Sequence, residues 1–403
     1  MTSDDVCILL KGLTMSSTIE LLDISANTLG RKGAIAIAEF LNTNRTLLSL
    51  NISHSKPVFW FPGENVDETV QEHTSHVSLP YALQHSPTLT SLDVSEIMLA
   101  CFGVRYIDLI KAILGNRKLQ SLHFCNSCLH FEIANIIANF IIFNSSLVSL
   151  DISENIMYDG GMNIICGALR NITHIKLLDI SENFLSVDSA GMIANILRHN
   201  TTLICLALGS NKISDEGCQY VADALFVNKT LTSLYIRDNV ISDDGAKALA
   251  VALTNNTTLL QLDLSFNDIQ DDGAMALINA FHASSTLKWL FVAFNPMCDI
   301  KTEECLMSYP NVIIDKKYCV FCTGFHSIPV LSAQFITHKR HLLFIQKECY
   351  SGWKQNHLGQ ISLQDVYNLS FIPEDQQDCL KYYIQKQFGK DPFDEDSSDE
   401  EDI

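Results

Sequence analysis

Three groups of residues in this sequence have the types and spacing to do chemistry. Cys319 and Cys322 are followed by His326, His338 and His341. Two thiolates and two imidazoles make a zinc donor set. His338 and His341 stand closer together than the usual pair of zinc histidines, and residues 319–325, CVFCTGF, alternate like a buried strand. Buried, reduced cysteines and no metal are therefore expected. Residues 354–365, KQNHLGQISLQD, place Gly359, Ile361 and Asp365 where a calcium loop needs its turn, core and last residues. Lys354 and Leu358 occupy positions where calcium needs carboxylates, so calcium is not expected, and a helix–loop–helix fragment without metal is one alternative. The third group is a series of carboxylates at one register: Asp93 and Glu96, Asp151 and Glu154, Asp179 and Glu182. It gives way to Tyr235, Arg237, Asp238, Asp263, Phe266, Trp289, Phe291 and Phe294. One residue repeated at one register is not a carboxylate pair tuned apart for acid and base roles. No phosphate loop, G-x-S-x-G or H-E-x-x-H stretch is present. No catalytic residue and no cofactor are expected.

The register comes from an internal repeat. LLSLNIS at Leu47, LTSLDVS at Leu89, LQSLHFC at Leu119 and LVSLDIS at Leu147 align with segments starting at Ile19, Ile175, Leu203, Leu231, Leu259 and Leu287. From Leu147 to Leu287 the step is 28 residues each time. Each copy reads L-x-x-L-x-L-x-x-N-x-[IL], then an acidic turn with Gly, then a helical stretch. The L-x-L piece alternates as a strand with one buried face does. Asn27, Asn155, Asn183, Asn211, Asn239, Asn267 and Asn295 are placed to bond the backbone of the turn that follows. The series fails at Ser55, Ile97 and Ser127. Gly217, Val221, Ala222 and Leu225, like their counterparts from Gly245 and from Gly273, line one helix face. Ser186, Ser214 and Ser242 sit where helix N-caps belong.

One such unit cannot bury its apolar faces alone, but a stack can. The expected fold is an α/β solenoid of about ten right-handed strand–turn–helix units, with parallel strands on a concave face and helices on the convex one. The motif resembles the ribonuclease-inhibitor class of leucine-rich repeats, shared with NLR receptors and the Ran GTPase-activating protein, over roughly residues 17–300. The expected organisation is an N-terminal cap at 1–16, the repeats at 17–300 with an irregular insert at about 56–74, a helical segment at 301–390 and a disordered acidic tail at 391–403. Ser332–Cys349 and Glu374–Phe388 are the helix candidates of the third part.

The third group of residues then falls on the concave face. Asp93, Glu96, Asp151, Glu154, Asp179 and Glu182 make an acidic stripe. Tyr235, Arg237, Asp263, Phe266, Trp289, Phe291 and Phe294 make an aromatic end, of the kind that anchors protein interfaces. This points to a non-enzymatic scaffold whose concave face holds a protein partner, with carboxylates steering a basic one. The resemblance implies a second function, activation of a small GTPase. That family's Thr-Gly-Arg stretch corresponds to Phe61-Pro62-Gly63-Glu64, without the Arg, and its asparagine to Asn126. There the asparagine positions the GTPase's own glutamine, so the reaction stays with the GTPase.

Charge and composition limit the rest. The net charge is -19, so phosphate backbones repel the chain and no nucleic-acid partner is expected. Eight of the carboxylates lie between Asp391 and Asp402. The start, MTSDDVCILLKGL, is acidic with a short apolar run, unlike a secretory signal. No apolar run reaches membrane-spanning length. Thirteen cysteines then read as reduced thiols of a cytoplasmic or nuclear monomer. Asn-x-Thr matches at Asn171, Asn200, Asn228 and Asn256 read as helix-to-strand turns rather than glycosylation sites.

Overall fold

The structure, a computed structural model, describes residues 1–14, 16–55, 78–96 and 106–297, with backbone alone at Tyr106 and 312–313. The insert at 56–74, Ile97, the Cys319–His341 and 354–365 segments, both C-terminal helix candidates and the acidic tail lie outside these residues. Contacts divide the chain into Met1–Lys316 and Lys317–Ile403. All that follows concerns the first unit.

A helix, α1 (Ser3–Leu13), precedes ten repeats of strand and helix. Thr2 and Asp5 cap it reciprocally, and Val6 and Leu10 pack into the core. The early strands are β1 (Leu21–Asp23), β2 (Ser49–Asn51), β3 (Ser91–Asp93), β4 (Ser121–His123) and β5 (Ser149–Asp151). Then come β6 (Leu177–Asp179), β7 (Cys205–Ala207), β8 (Ser233–Tyr235), β9 (Gln261–Asp263) and β10 (Trp289–Phe291). The intervening helices are α2 (Gly30–Thr43), α3 (Leu79–His85), α4 (Tyr106–Gly115), α5 (Ala134–Phe143) and α6 (Tyr158–Leu169). The series continues with α7 (Val187–His199), α8 (Ser214–Val227), α9 (Asp243–Asn255) and α10 (Asp271–Ala283). The strands form one parallel sheet in chain order, and the central leucines Leu22 to Leu290 pair in register. These leucines are buried toward the helices, so the flanking strand residues lie on the open face of the sheet. An eleventh strand, β11 (Val312–Ile313), pairs with β10. The sheet therefore runs past residue 300, where the sequence period fades, and Trp289 and Phe291 are not on its last strand.

Buried asparagines hold the turns. Asn211 Nδ2 donates to Ile180 O, Leu208 O and Gly209 O, while its Oδ1 accepts from Asn183 N and Leu185 N at 3.0 Å each. Asn155 and Asn267 bond neighbouring turns in the same way. Where the series fails, Ser55 Oγ and Ser127 Oγ still donate to backbone oxygens. A second ladder runs at the helix ends. Asn228 Nδ2 donates to Leu197 O, and Asn256 Nδ2 to Leu225 O, at 2.7 Å each; their Oδ1 atoms accept from Leu231 N and Leu259 N. Both side chains are buried, and the nitrogen a sugar would need is already bonded. The Asn-x-Thr pattern at these two positions is therefore structural.

The acidic turn with Gly has an equally local cause. Asp215, in the first turn of α8, accepts from Ser242 N and Oγ and from Gly245 N, and so caps α9. Asp243 caps α10 through Gln270 N and Gly273 N. A Cβ on Gly245 or Gly273 would lie 2.6 or 2.5 Å from those carboxylates, so only glycine admits them. Asp159 caps α7 through Ser186 and Ser189. Burial raises its pKa, but these serine hydrogen bonds outweigh burial and hold it below the ordinary carboxylate value. Ser186 and Ser242 are N-caps as expected. Ser214 is not. It is the first residue of α8, with φ 55°, and Ile213 takes the cap position. The turn there donates Ser214 N to Asn239 O, which displaces the cap by one residue.

The unit built on α6 departs from the helix-end ladder. The helix-end ladder has Asn144 before it and Asn200 after it, but Ile172 at the corresponding place, and Arg170 ends the helix. A cavity of about 20 Å³ lies there, lined by Leu169, Ile172, Ile193 and Asn200 among others. Asn183 Oδ1 and His174 Nε2 are buried without partners, and burial lowers the His174 pKa. α6 touches α7 far less than α7 touches α8 or α8 touches α9, and it carries Gly160, Gly161 and Gly167.

Two outcomes follow. Asn211→Ala strips bonds from several buried backbone groups and should cost about 3 kcal/mol in urea unfolding; a loss below about 0.5 kcal/mol would remove the ladder from the account. Gly167→Ala, whose Cβ meets nothing within 4 Å, should stabilise by roughly 0.5–1 kcal/mol. It should also slow amide exchange in α6, which before substitution is expected to exchange faster than α8–α10.

Candidate functional site

The open face is built from the residues flanking each central leucine and the two that close the turn. The second of these has left-handed backbone in every repeat: Ala26, His54, Glu96, Asn126, Glu154, Glu182, Ser210, Asp238, Phe266 and Phe294, with φ between 47° and 60°. None is glycine, although glycine would adopt this conformation without the strain of about 1–2 kcal/mol.

At the acidic end, the strand aspartates do local work. Asp93, Asp151, Asp179 and Asp263 each accept through Oδ1 from the backbone amide two residues on, at 2.9–3.0 Å. Asp151 and Asp179 are only 7% and 6% exposed, and Glu154 only 9%. Glu96 and Glu182 are half-exposed. The stripe is also interrupted by two histidines that strand alternation did not flag. His123 pairs in register between Asp93 and Asp151, its Nδ1 lying 3.5 Å from Asp151 Oδ2. His54 Nδ1 lies 2.8 Å from Glu96 Oε2. Both occupy repeat positions that hold acids in neighbouring copies, and comparing the copies column by column would have exposed them. Cys125 Sγ donates to Glu154 Oε1 at 3.4 Å; burial, followed by the charges of Glu154 and Asp151, pushes its thiol far up, so it is no nucleophile. Asn126 stands on the same face, at the left-handed position of its repeat; Phe61–Glu64 lie outside the described residues.

At the other end the structure brings the aromatic residues together. Phe266 and Phe294 stack with centroids 4.2 Å apart and planes 19° apart. The Arg237 Cζ sits 5.1 Å from the Phe266 centroid. Tyr235 Oη donates to Gln261 Oε1 at 2.9 Å, and burial pushes its pKa up. Asp263 pairs with Tyr235 on one side and Phe291 on the other. Burial raises its pKa, against the opposing effects of Ser265 and Arg237. Trp289, Phe291 and Phe294 are half-buried, and Phe266 is 36% exposed. Among the described residues, no group of three or more His, Cys, Asp or Glu is placed to hold a metal, and no helix is long and apolar enough to cross a membrane.

A family model described as a leucine-rich repeat matches residues 16–38, 199–222, 227–250 and 255–277. No curated protein sequence matches the chain. Among solved structures, an internalin from Listeria monocytogenes is similar at 18% identity and a TM-score of 0.42, over 78% of this chain and 83% of its own. Leiomodin-1 actin-binding site 2 aligns at 20% identity and a TM-score of 0.30, over 45% of this chain and 90% of its own. The tropomodulin C-terminal domain from Caenorhabditis elegans aligns at 15% and 0.33, over 38% and 92%. The matched stretches fall on β1 with the start of α2 and on the units from β7 to α10, and the units between continue the same sheet in the same register. The chain carries leucine-rich repeats at these stretches, within one parallel strand-and-helix stack.

Proposed function

We propose that this protein is a non-enzymatic scaffold that holds a protein partner against the open face of its sheet. The observation that carries this reading is the row of left-handed, non-glycine residues. Glycine would relieve the backbone at each, yet eight of the ten positions carry His, Glu, Asn, Asp or Phe, with Ala26 and Ser210 the others. Strain maintained at a surface position points to a use for the side chain. The polar members offer steering charges, and the Phe266–Phe294 stack offers the apolar anchor that protein interfaces favour. A leucine-rich-repeat stack suits this use, because its energy comes from neighbour contacts within the solenoid and leaves the open face free to vary.

Two variants test the reading by affinity capture from a cytoplasmic lysate. Replacing Trp289, Phe291 and Phe294 together by Ala should abolish partner capture while leaving helicity unchanged; retained capture would sink the aromatic assignment. For charge, the half-exposed Glu96 and Glu182 are the residues to reverse, since Asp151 and Asp179 hold their own turns. Glu96→Lys with Glu182→Lys should slow association and flatten its salt dependence. An unchanged rate would remove the acidic end from the interface, and a small GTPase among the lost partners would bring Asn126 into play.

A further inference from the structure

Arg237 stands apart from the rest of the open face. Among the described residues at the strand-flanking and turn-closing positions, it is the one Lys or Arg. Asp238 follows it in sequence and Asp263 lies on the next strand opposite Tyr235, yet it makes no salt bridge and no side-chain hydrogen bond among the described residues. Its Nε is buried without an acceptor. An unmet donor of this kind is costly.

The side chain is nevertheless fixed at both ends. Its stem lies over Gly209: a Cβ there would come within 2.9 Å of Arg237 Cγ. Neighbouring repeats carry Ser153 and Ser181 at that place. Its guanidinium rests on Phe266, which in turn rests on Phe294. The nearby acid, half-buried Asp263, accepts from Ser265 N and feels the Arg237 charge without forming a salt bridge to it. A guanidinium held in this way has already lost much of the freedom that binding would remove, and its fork matches a planar two-oxygen acceptor.

We infer that Arg237 is the receptor for a carboxylate on the protein partner, presented beside an apolar side chain that covers Phe266. This rests on the open-face reading above and names what the aromatic end recognises. The partner is otherwise neutral or basic, because Glu182, Asp238 and their neighbours repel further negative charge. The same field disfavours a phosphorylated partner: a phosphate carries nearly two charges, against one for a carboxylate, and is repelled more strongly.

The test is selection of a random displayed-peptide library on the full chain, with the leading peptides then measured singly. The peptides should share an Asp, Glu or free C-terminus next to an apolar residue. Converting that acid to its amide should weaken binding about 10-fold or more to the wild type and leave binding to Arg237→Gln unchanged. Arg237→Lys, which keeps the charge and loses the fork, should recover only part of the affinity. Peptides that lack an acid, that lose equal affinity on both proteins when amidated, or that bind better with phosphoserine at that place would overturn the carboxylate assignment. If those peptides are still lost from the Trp289, Phe291 and Phe294 alanine variant, the open-face interface survives without it. Peptides indifferent to both variants, or no enrichment at all, would sink both.

Discussion

The constraint on which the structure depends is that every turn between strand and helix must find partners for its backbone groups inside a stack that excludes water. A buried amide side chain meets the need because it offers donors and an acceptor at once. Asn211 shows the arrangement most fully: its nitrogen serves carbonyls of its own turn and of the preceding repeat, and its oxygen takes two amides of that repeat. Each unit is thus fastened to its predecessor by polar contacts as well as by leucine packing. The helix-end ladder does the same on the other side of the core, and the first-turn aspartates do it along the helix row.

Fixing the turns in this way has a consequence for the open face. The residue before the ladder position, which is asparagine in seven repeats, is held left-handed in all ten, so its side chain leaves the backbone in the same way each time. A row of side chains can then vary from His54 to Phe294 without altering the scaffold. The acidic end shows the limit of that freedom: Asp151 and Asp179 lie on the open face, but their carboxylates close their own turns. The aromatic end is freer, and the stack of Arg237, Phe266 and Phe294 spans three successive repeats.

The same logic accounts for an irregular unit. Where Ile172 replaces the helix-end asparagine a small cavity lies, and in the turn ladder on the other side of the core the Asn183 oxygen has no donor. In a stack stabilised by nearest-neighbour contacts, one poor interface lowers cooperativity between the units on either side. The two ends of the open face, acidic on β3–β6 and aromatic on β8–β10, meet close to this seam.

Much of this was legible in the residues. Period and alternation determined the strands, their order and the buried leucines, because a strand with one buried face must alternate and a repeat must stack on itself. The ladder asparagines were legible for the same reason, since their carbonyl and amide are the groups a closed turn lacks. What only the tertiary structure decided are relations between copies that no single copy contains. Strand β11 lacks the repeat's spacing and is fixed by pairing with β10. Ser214 looks like a cap but follows a turn whose amide bonds the next repeat. His54 and His123 matter through the acids set beside them from other repeats. Arg237 reads in sequence as one more polar face residue; its stem over Gly209 and its ring contact with Phe266 come from the repeats on either side, because stacking brings residues 28 positions apart within contact distance.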